Sequence, residues 1–187
     1  MELFEQDLKY ILNVYRRMNL SFEKGKGVFL YDKCNTAYLD TFSGLAVNLL
    51  GYSHPNLSKV IHQYSEKYLH LSNFYIQNEQ IKLAKELIEN TSMSKVFFTN
   101  SGTESIEAAL KVYRKKMYLE KRKKAKVLVL QNSFHGRTLG SLSLTIQEKY
   151  QQFFIDENES VIAININDEE SLKKTEKEDI GAVFIEL

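Results

Sequence analysis

Apolar positions recur along this chain with two periods, one helical and one alternating, and the pattern changes near Gly44. Residues 2–18 carry Leu8, Ile11, Leu12 and Tyr15 at helical spacing and predict an amphipathic helix. GVFLYD and TAYLD follow as short strand-like runs around Asp32-Lys33-Cys34-Asn35. They predict a hairpin, with Asn35 the residue best able to adopt a left-handed conformation. Pro55 suits the first turn of a helix that carries Leu57, Val60, Ile61, Tyr64 and Tyr68 inward. A further helix is predicted over roughly 77–90, with Ile81, Ala84, Leu87 and Ile88 on one side. Then come a strand VFFT (96–99), a helix over 102–118, a strand VLVL (127–130) and an irregular stretch. A strand VIAI (161–164), a charged helix near 169–177 and a strand AVFIE (182–186) complete the pattern.

Apolar strands alternating with helices indicate an α/β fold with a largely parallel sheet covered on both faces. The last strand runs to the end of the sequence, where a connection and a covering helix are expected, so the pattern reads as a truncated domain.

Composition narrows the function. Of 187 residues, 43% are hydrophobic and 26% charged, which excludes a disordered chain. The formal charge of +1 gives no overall field for nucleic acid or an anionic membrane. No apolar run approaches the length of a membrane span, and the N-terminus lacks the basic and apolar regions of a secretory signal. A single cysteine, Cys34, excludes an internal disulfide and fits a reducing compartment. The expected address is the cytoplasm. His54, His62, His70 and His135 lack metal-ligand spacing. The basic run KRKKAK from Lys121 to Lys126 has no interleaved aromatics and reads as a solvated linker rather than a nucleic-acid contact.

Two turns carry candidate chemistry. Thr99-Asn100-Ser101-Gly102-Thr103-Glu104 leaves a predicted strand and opens a helix in which Ile106, Ala109, Leu110, Tyr113 and Met117 keep helical spacing. Unpaired N–H groups at that helix start suit a phosphate, with the Ser101 and Thr103 hydroxyls as further donors. The same Ser101-x-x-Glu104 spacing is also a capping box that would stabilise any helix. It is neither a Walker sequence nor a dinucleotide fingerprint. Asn132-Ser133-Phe134-His135-Gly136-Arg137-Thr138 leaves the next strand at the same sheet edge. A ring and a guanidinium so close together could stack on a planar ligand and bind a carboxylate, or form an ordinary surface loop.

The sequence resembles the class III, subgroup II, pyridoxal-phosphate-dependent aminotransferases. The matching stretches are FEKGKGVFLYD, AYLDTFSGLAVNLLGYSHPNL, HLSNFY, KVFFTNSGTESIEAALK, NSFHGRTLGSLSLTIQEKYQQF and GAVFIEL, in the family's order and spacing. The resemblance implies fold type I, with residues 1–45 the N-terminal part of a small domain and 46–187 the first part of a large cofactor domain. It implies pyridoxal 5'-phosphate as cofactor, with Ser101, Gly102 and Thr103 at its phosphate and Phe134 stacked on its ring. It gives Arg137 the substrate carboxylate, and it implies a homodimer. The implied reaction carries the δ-amino group of N-acetylornithine to 2-oxoglutarate, a step of arginine synthesis.

Asn35 and Tyr52 stand where the family usually has glycine and histidine, and Leu187 where it has proline. No lysine matches the family's Schiff-base motif, and the aspartate for the pyridine nitrogen is expected beyond this sequence, so no catalytic residue is assigned. The alternatives are succinylornithine, ornithine, 4-aminobutyrate or diaminopimelate-pathway transaminases, and a non-catalytic truncated or split-half chain. Leu45 is aliphatic where ornithine enzymes tend to carry tyrosine, which counts against free ornithine. Taken alone, the 187-residue chain is expected to be inactive and prone to aggregate through AVFIE.

Overall fold

A computed structural model describes residues 2–155 and 160–186. The chain divides into two units, Met1–Asn78 and Glu79–Leu187; Leu187, the last residue of the final motif, lies outside the described residues.

The first unit starts with α1, Leu3–Tyr10. The predicted helix over 2–18 stops there, and Ile11 is extended. Leu8, Ile11, Leu12 and Tyr15 are all exposed, so no packing holds a longer amphipathic helix together. A three-stranded antiparallel sheet follows, β1 (Lys24–Lys26), β2 (Phe29–Tyr31) and β3 (Ala37–Leu39). Its β2–β3 hairpin is the predicted one, with Leu30 opposite Tyr38 and Asn35 at φ 62°. The Asp32 carboxylate fixes the turn by accepting from the Cys34 and Thr36 N–H groups at 2.9 and 2.8 Å. The segment α2 (Ser43–Ala46) is a left-handed turn, with positive φ at Ser43, Gly44, Leu45 and Ala46. From Pro55, α3 runs to Lys67. Its apolar side is inward only in part: Tyr64 and Tyr68 are half-buried, while Leu57, Val60 and Ile61 are exposed.

The second unit holds a parallel sheet in the order β5-β4-β6. Here β4 is Lys126–Leu130, β5 is Val161–Ile164 and β6 is Ile180–Phe184. Val129 pairs with Ala163 on one side and Phe184 on the other. Buried on both faces, β4 contributes Val127 and Val129 to a core with Leu110 and Leu144, while Leu128 fills the opposite side. Helix α4 (Asn78–Glu89) leads in, although Ile81 and Leu87 of its apolar side are exposed. The main covering helix is α5, Gly102–Leu119.

VFFT is not a strand. A strand requires a ladder partner, and residues 96–99 have none among the described residues; Phe97 is 77% exposed. Conversely, the stretch expected to be irregular contains α6 (Leu139–Leu144) and α7 (Glu148–Gln151). The charged helix α8 is shorter than predicted, Glu169–Lys173. In the basic run, Arg122 pairs with Asp179 and Lys126 with Glu178, which ties the α5–β4 connection to the start of β6.

Candidate functional site

The two turns singled out in the sequence meet in the second unit. Ser101 caps α5 from an extended conformation, and its Oγ accepts from the Glu104 N–H at 3.2 Å. The box is shifted by one residue, because the Glu104 carboxylate accepts from Asn100 N–H at 2.6 Å rather than from Ser101. Behind this cap, the Gly102 and Thr103 N–H groups donate to no acceptor among the described residues. They sit at the start of an 18-residue helix, where the helix dipole favours an anion. A Cβ placed on Gly102 would meet nothing within 4 Å, so the approach to these amides is open.

Thr103 also holds the second turn. Its Oγ1 accepts from the Arg137 N–H at 3.0 Å and lies 3.4 Å from Ser141 Oγ. Between them the chain passes through Gly136 at φ +136°, where a Cβ would fall 1.8 Å from Thr103 Oγ1 and 2.4 Å from Ser141 Oγ. Only glycine fits that close approach.

Glu107, one helical turn beyond Thr103, completes the clamp. Its carboxylate accepts from Thr138 Oγ1 and from the Ser141 N–H at 3.1 Å, so it caps the first turn of α6. The Thr138 hydrogen bond, with the Ser141 and Gly140 amides, holds this carboxyl below its ordinary pKa against the effect of burial. Deeper still, Thr145 Oγ1 accepts from the His135 N–H at 2.8 Å and reaches Gly136 O at 3.3 Å. His135 is 6% exposed, and its Nε2 has no partner among the described residues. Burial depresses its pKa, opposed by the Glu186 carboxylate.

Phe134 is 42% exposed, and its N–H donates to Glu186 Oε2 at 2.7 Å. That bond joins the segment just after β6 to the turn after β4. The Arg137 guanidinium carbon lies 3.8 Å from the Tyr150 ring centroid and 5.4 Å from that of Phe134. It has no carboxylate partner among the described residues. Lys149, and secondarily Arg137, hold the Tyr150 hydroxyl below its ordinary pKa.

Ser101, Gly102, Thr103, Phe134 and Arg137 therefore lie on two turns locked together by hydroxyl and amide hydrogen bonds. Sequence reasoning missed Glu107, Ser141, Thr145, Tyr150 and Glu186. Glu107 was within reach, because it shares a helix face with Thr103 at i, i+4 spacing. Open amides at a long helix start, an exposed ring and a guanidinium with no described carboxylate partner fit a phosphorylated planar ligand and a carboxylate. Among the described residues no group of His, Cys, Asp and Glu is arranged to hold a metal ion.

Comparisons with known proteins agree on one lineage. Acetylornithine aminotransferase of Clostridium acetobutylicum is 42% identical over 95% of this chain, and that of Aquifex aeolicus is 41% identical over 96%. The chain spans about half the length of these curated relatives, 46% and 48%. Among solved structures, an ornithine aminotransferase from Toxoplasma gondii ME49 superposes with a TM-score of 0.88 at 24% identity, covering 97% of this chain and 44% of that one, a likeness of fold. An omega transaminase from Pseudomonas jessenii, solved in complex with PMP, gives a TM-score of 0.78 at 31% identity over 88% of this chain and 39% of its own. The sequence profile described as aminotransferase class-III matches residues 10–186. The chain belongs to the class-III aminotransferase family, and its fold is the N-terminal half of a fold type I enzyme.

Proposed function

We propose that the full-length protein is an aminotransferase that uses pyridoxal 5'-phosphate to move the δ-amino group of N-acetylornithine to 2-oxoglutarate. The observation that carries this reading is the lock between the α5 start and the 134–138 turn, which brings open amides, a ring and a guanidinium together.

Gly102 and Thr103 would hold the phosphate through their N–H groups, with the Ser101 O–H as a third donor. Phe134 would cover one face of the pyridine ring and shield it from water. When bound, the cofactor supplies the aldehyde that exchanges the amino group and the ring that draws electrons from the reacting carbon. Arg137 would grip a substrate carboxylate through two parallel hydrogen bonds and so fix which end of the substrate faces the cofactor.

The acyl-ornithine substrate is favoured because relatives with that name are 42% and 41% identical to this chain, whereas the ornithine enzyme shares 24%. Leu45 in place of tyrosine agrees with this choice. We read the working form as a cytoplasmic homodimer acting in arginine synthesis; no described helix is long and apolar enough to cross a membrane. Glutamate formation from N-acetylornithine and 2-oxoglutarate by the full-length protein with pyridoxal phosphate tests the reading. Turnover with ornithine or 4-aminobutyrate but not N-acetylornithine would overturn the substrate.

A further inference from the structure

A carboxylate clamp binds more tightly when its guanidinium is already held in place, because an arginine side chain carries about 2 kcal/mol of rotamer entropy. Arg137 is exposed, and no described carboxylate pairs with its guanidinium. What lies against it is Tyr150, the third residue of α7, with the guanidinium carbon 3.8 Å from the ring centroid. Tyr150 is half-buried and meets Phe134 edge to face, with centroids 6.3 Å apart and planes at 80°. Lys149 Nζ, 4.5 Å from the same ring, adds a second cation.

We infer that Tyr150 is the positioning residue of the clamp. Its ring face holds the Arg137 guanidinium flat beside Phe134, and this sets the affinity for a ligand carboxylate. The inference rests on the clamp reading of Arg137 given above. It follows from cation–π attraction through the ring face; the hydroxyl, which the Lys149 and Arg137 side chains also reach, is a separate contact that Tyr150→Phe removes. The neighbouring Lys149 makes the site more cationic and favours a dicarboxylate over a monocarboxylate.

The test is calorimetric binding of glutarate, a non-reacting dicarboxylate, to the full-length protein loaded with pyridoxal phosphate. Tyr150→Leu should weaken glutarate about 5–30-fold, while Tyr150→Phe should retain the affinity within about twofold. Because Tyr150→Leu also removes packing, phenylalanine analogues with increasing fluorination at position 150 provide a shape-conserving series. Glutarate affinity should fall stepwise as fluorination drains the ring face. A flat series would overturn the inference, as would a Tyr150→Phe variant as weak as Tyr150→Leu. Arg137→Ala separates the two levels. If it leaves glutarate binding unchanged, the clamp reading itself fails; if it weakens binding while the fluorinated series stays flat, only the role of Tyr150 falls.

Discussion

Thr103 Oγ1 accepts the Arg137 N–H at 3.0 Å, so the residue whose amide faces the open helix start also anchors the residue whose guanidinium lies on the Tyr150 ring. Two sequence segments separated by 34 positions are thereby tied together, with the Glu107 carboxylate adding hydrogen bonds from Thr138 and Ser141. If the proposed phosphate and carboxylate roles hold, this tie sets the separation of the two sites, which is the geometric requirement for selecting a substrate by length.

Gly136 should be the least replaceable residue of the tied segments. Gly136→Ala would drive a methyl into Thr103 Oγ1 and Ser141 Oγ at a backbone angle unsuited to side chains. A loss on the order of 3 kcal/mol in unfolding free energy is expected. Gly102→Ala meets open space and should change stability by less than about 0.5 kcal/mol. Urea unfolding of the two variants checks the contrast, and equal losses would contradict the close approach.

Arg137→Ala should reduce kcat/KM for both substrates by the equivalent of about 2–4 kcal/mol. Pyridoxal phosphate affinity should be nearly unchanged, because the Gly102 and Thr103 amides and Phe134, the proposed cofactor contacts, remain. Steady-state kinetics together with cofactor titration measure both; intact kinetics would remove Arg137 from the site.

Thr145→Val keeps the shape but strands the buried His135 N–H. The expected destabilisation is about 1–3 kcal/mol, and Thr145→Ser, which restores an acceptor, should recover most of it. Thermal unfolding of the pair distinguishes the hydroxyl from packing.

Two groups give stability a stated pH dependence. Burial lowers the folded pKa of His135 from 6.5, so the unfolded chain binds its proton first and stability falls as pH drops below 6.5. Hydrogen bonds lower the folded pKa of Glu107 from 4.5, so its contribution is present above pH 4.5 and is lost further into acid. Urea midpoints measured across pH should show His135→Phe flattening the first range and Glu107→Gln the second. A variant curve parallel to that of the parent in its range would contradict the assignment.

What the sequence revealed was local. Helix α5 starts at Gly102 because Ser101 caps it, and the hairpin turns at Asn35 because Asp32 and a left-handed residue build the turn within five positions. The α5–β4–β5–β6 alternation was legible because its strands are continuous apolar runs, of which β4 is buried on both faces. VFFT has the composition of a strand, but strand formation depends on a partner that composition does not report. The apolar stripes of α1 and α3 were read correctly as stripes, while their burial depends on what packs there. The candidate site divides in the same way. The two turns could be found from their residues and spacing, whereas Glu107, Thr145 and Glu186 act across the fold and left no local signal except the shared face of Thr103 and Glu107.

The most direct measurement is a crystal structure of the full-length protein with pyridoxal phosphate. The predicted result places phosphate oxygens about 2.7–3.2 Å from the Gly102 and Thr103 nitrogens, with the Phe134 ring stacked on the pyridine. Phosphate bound elsewhere, or Phe134 turned away from the ring, would contradict the account.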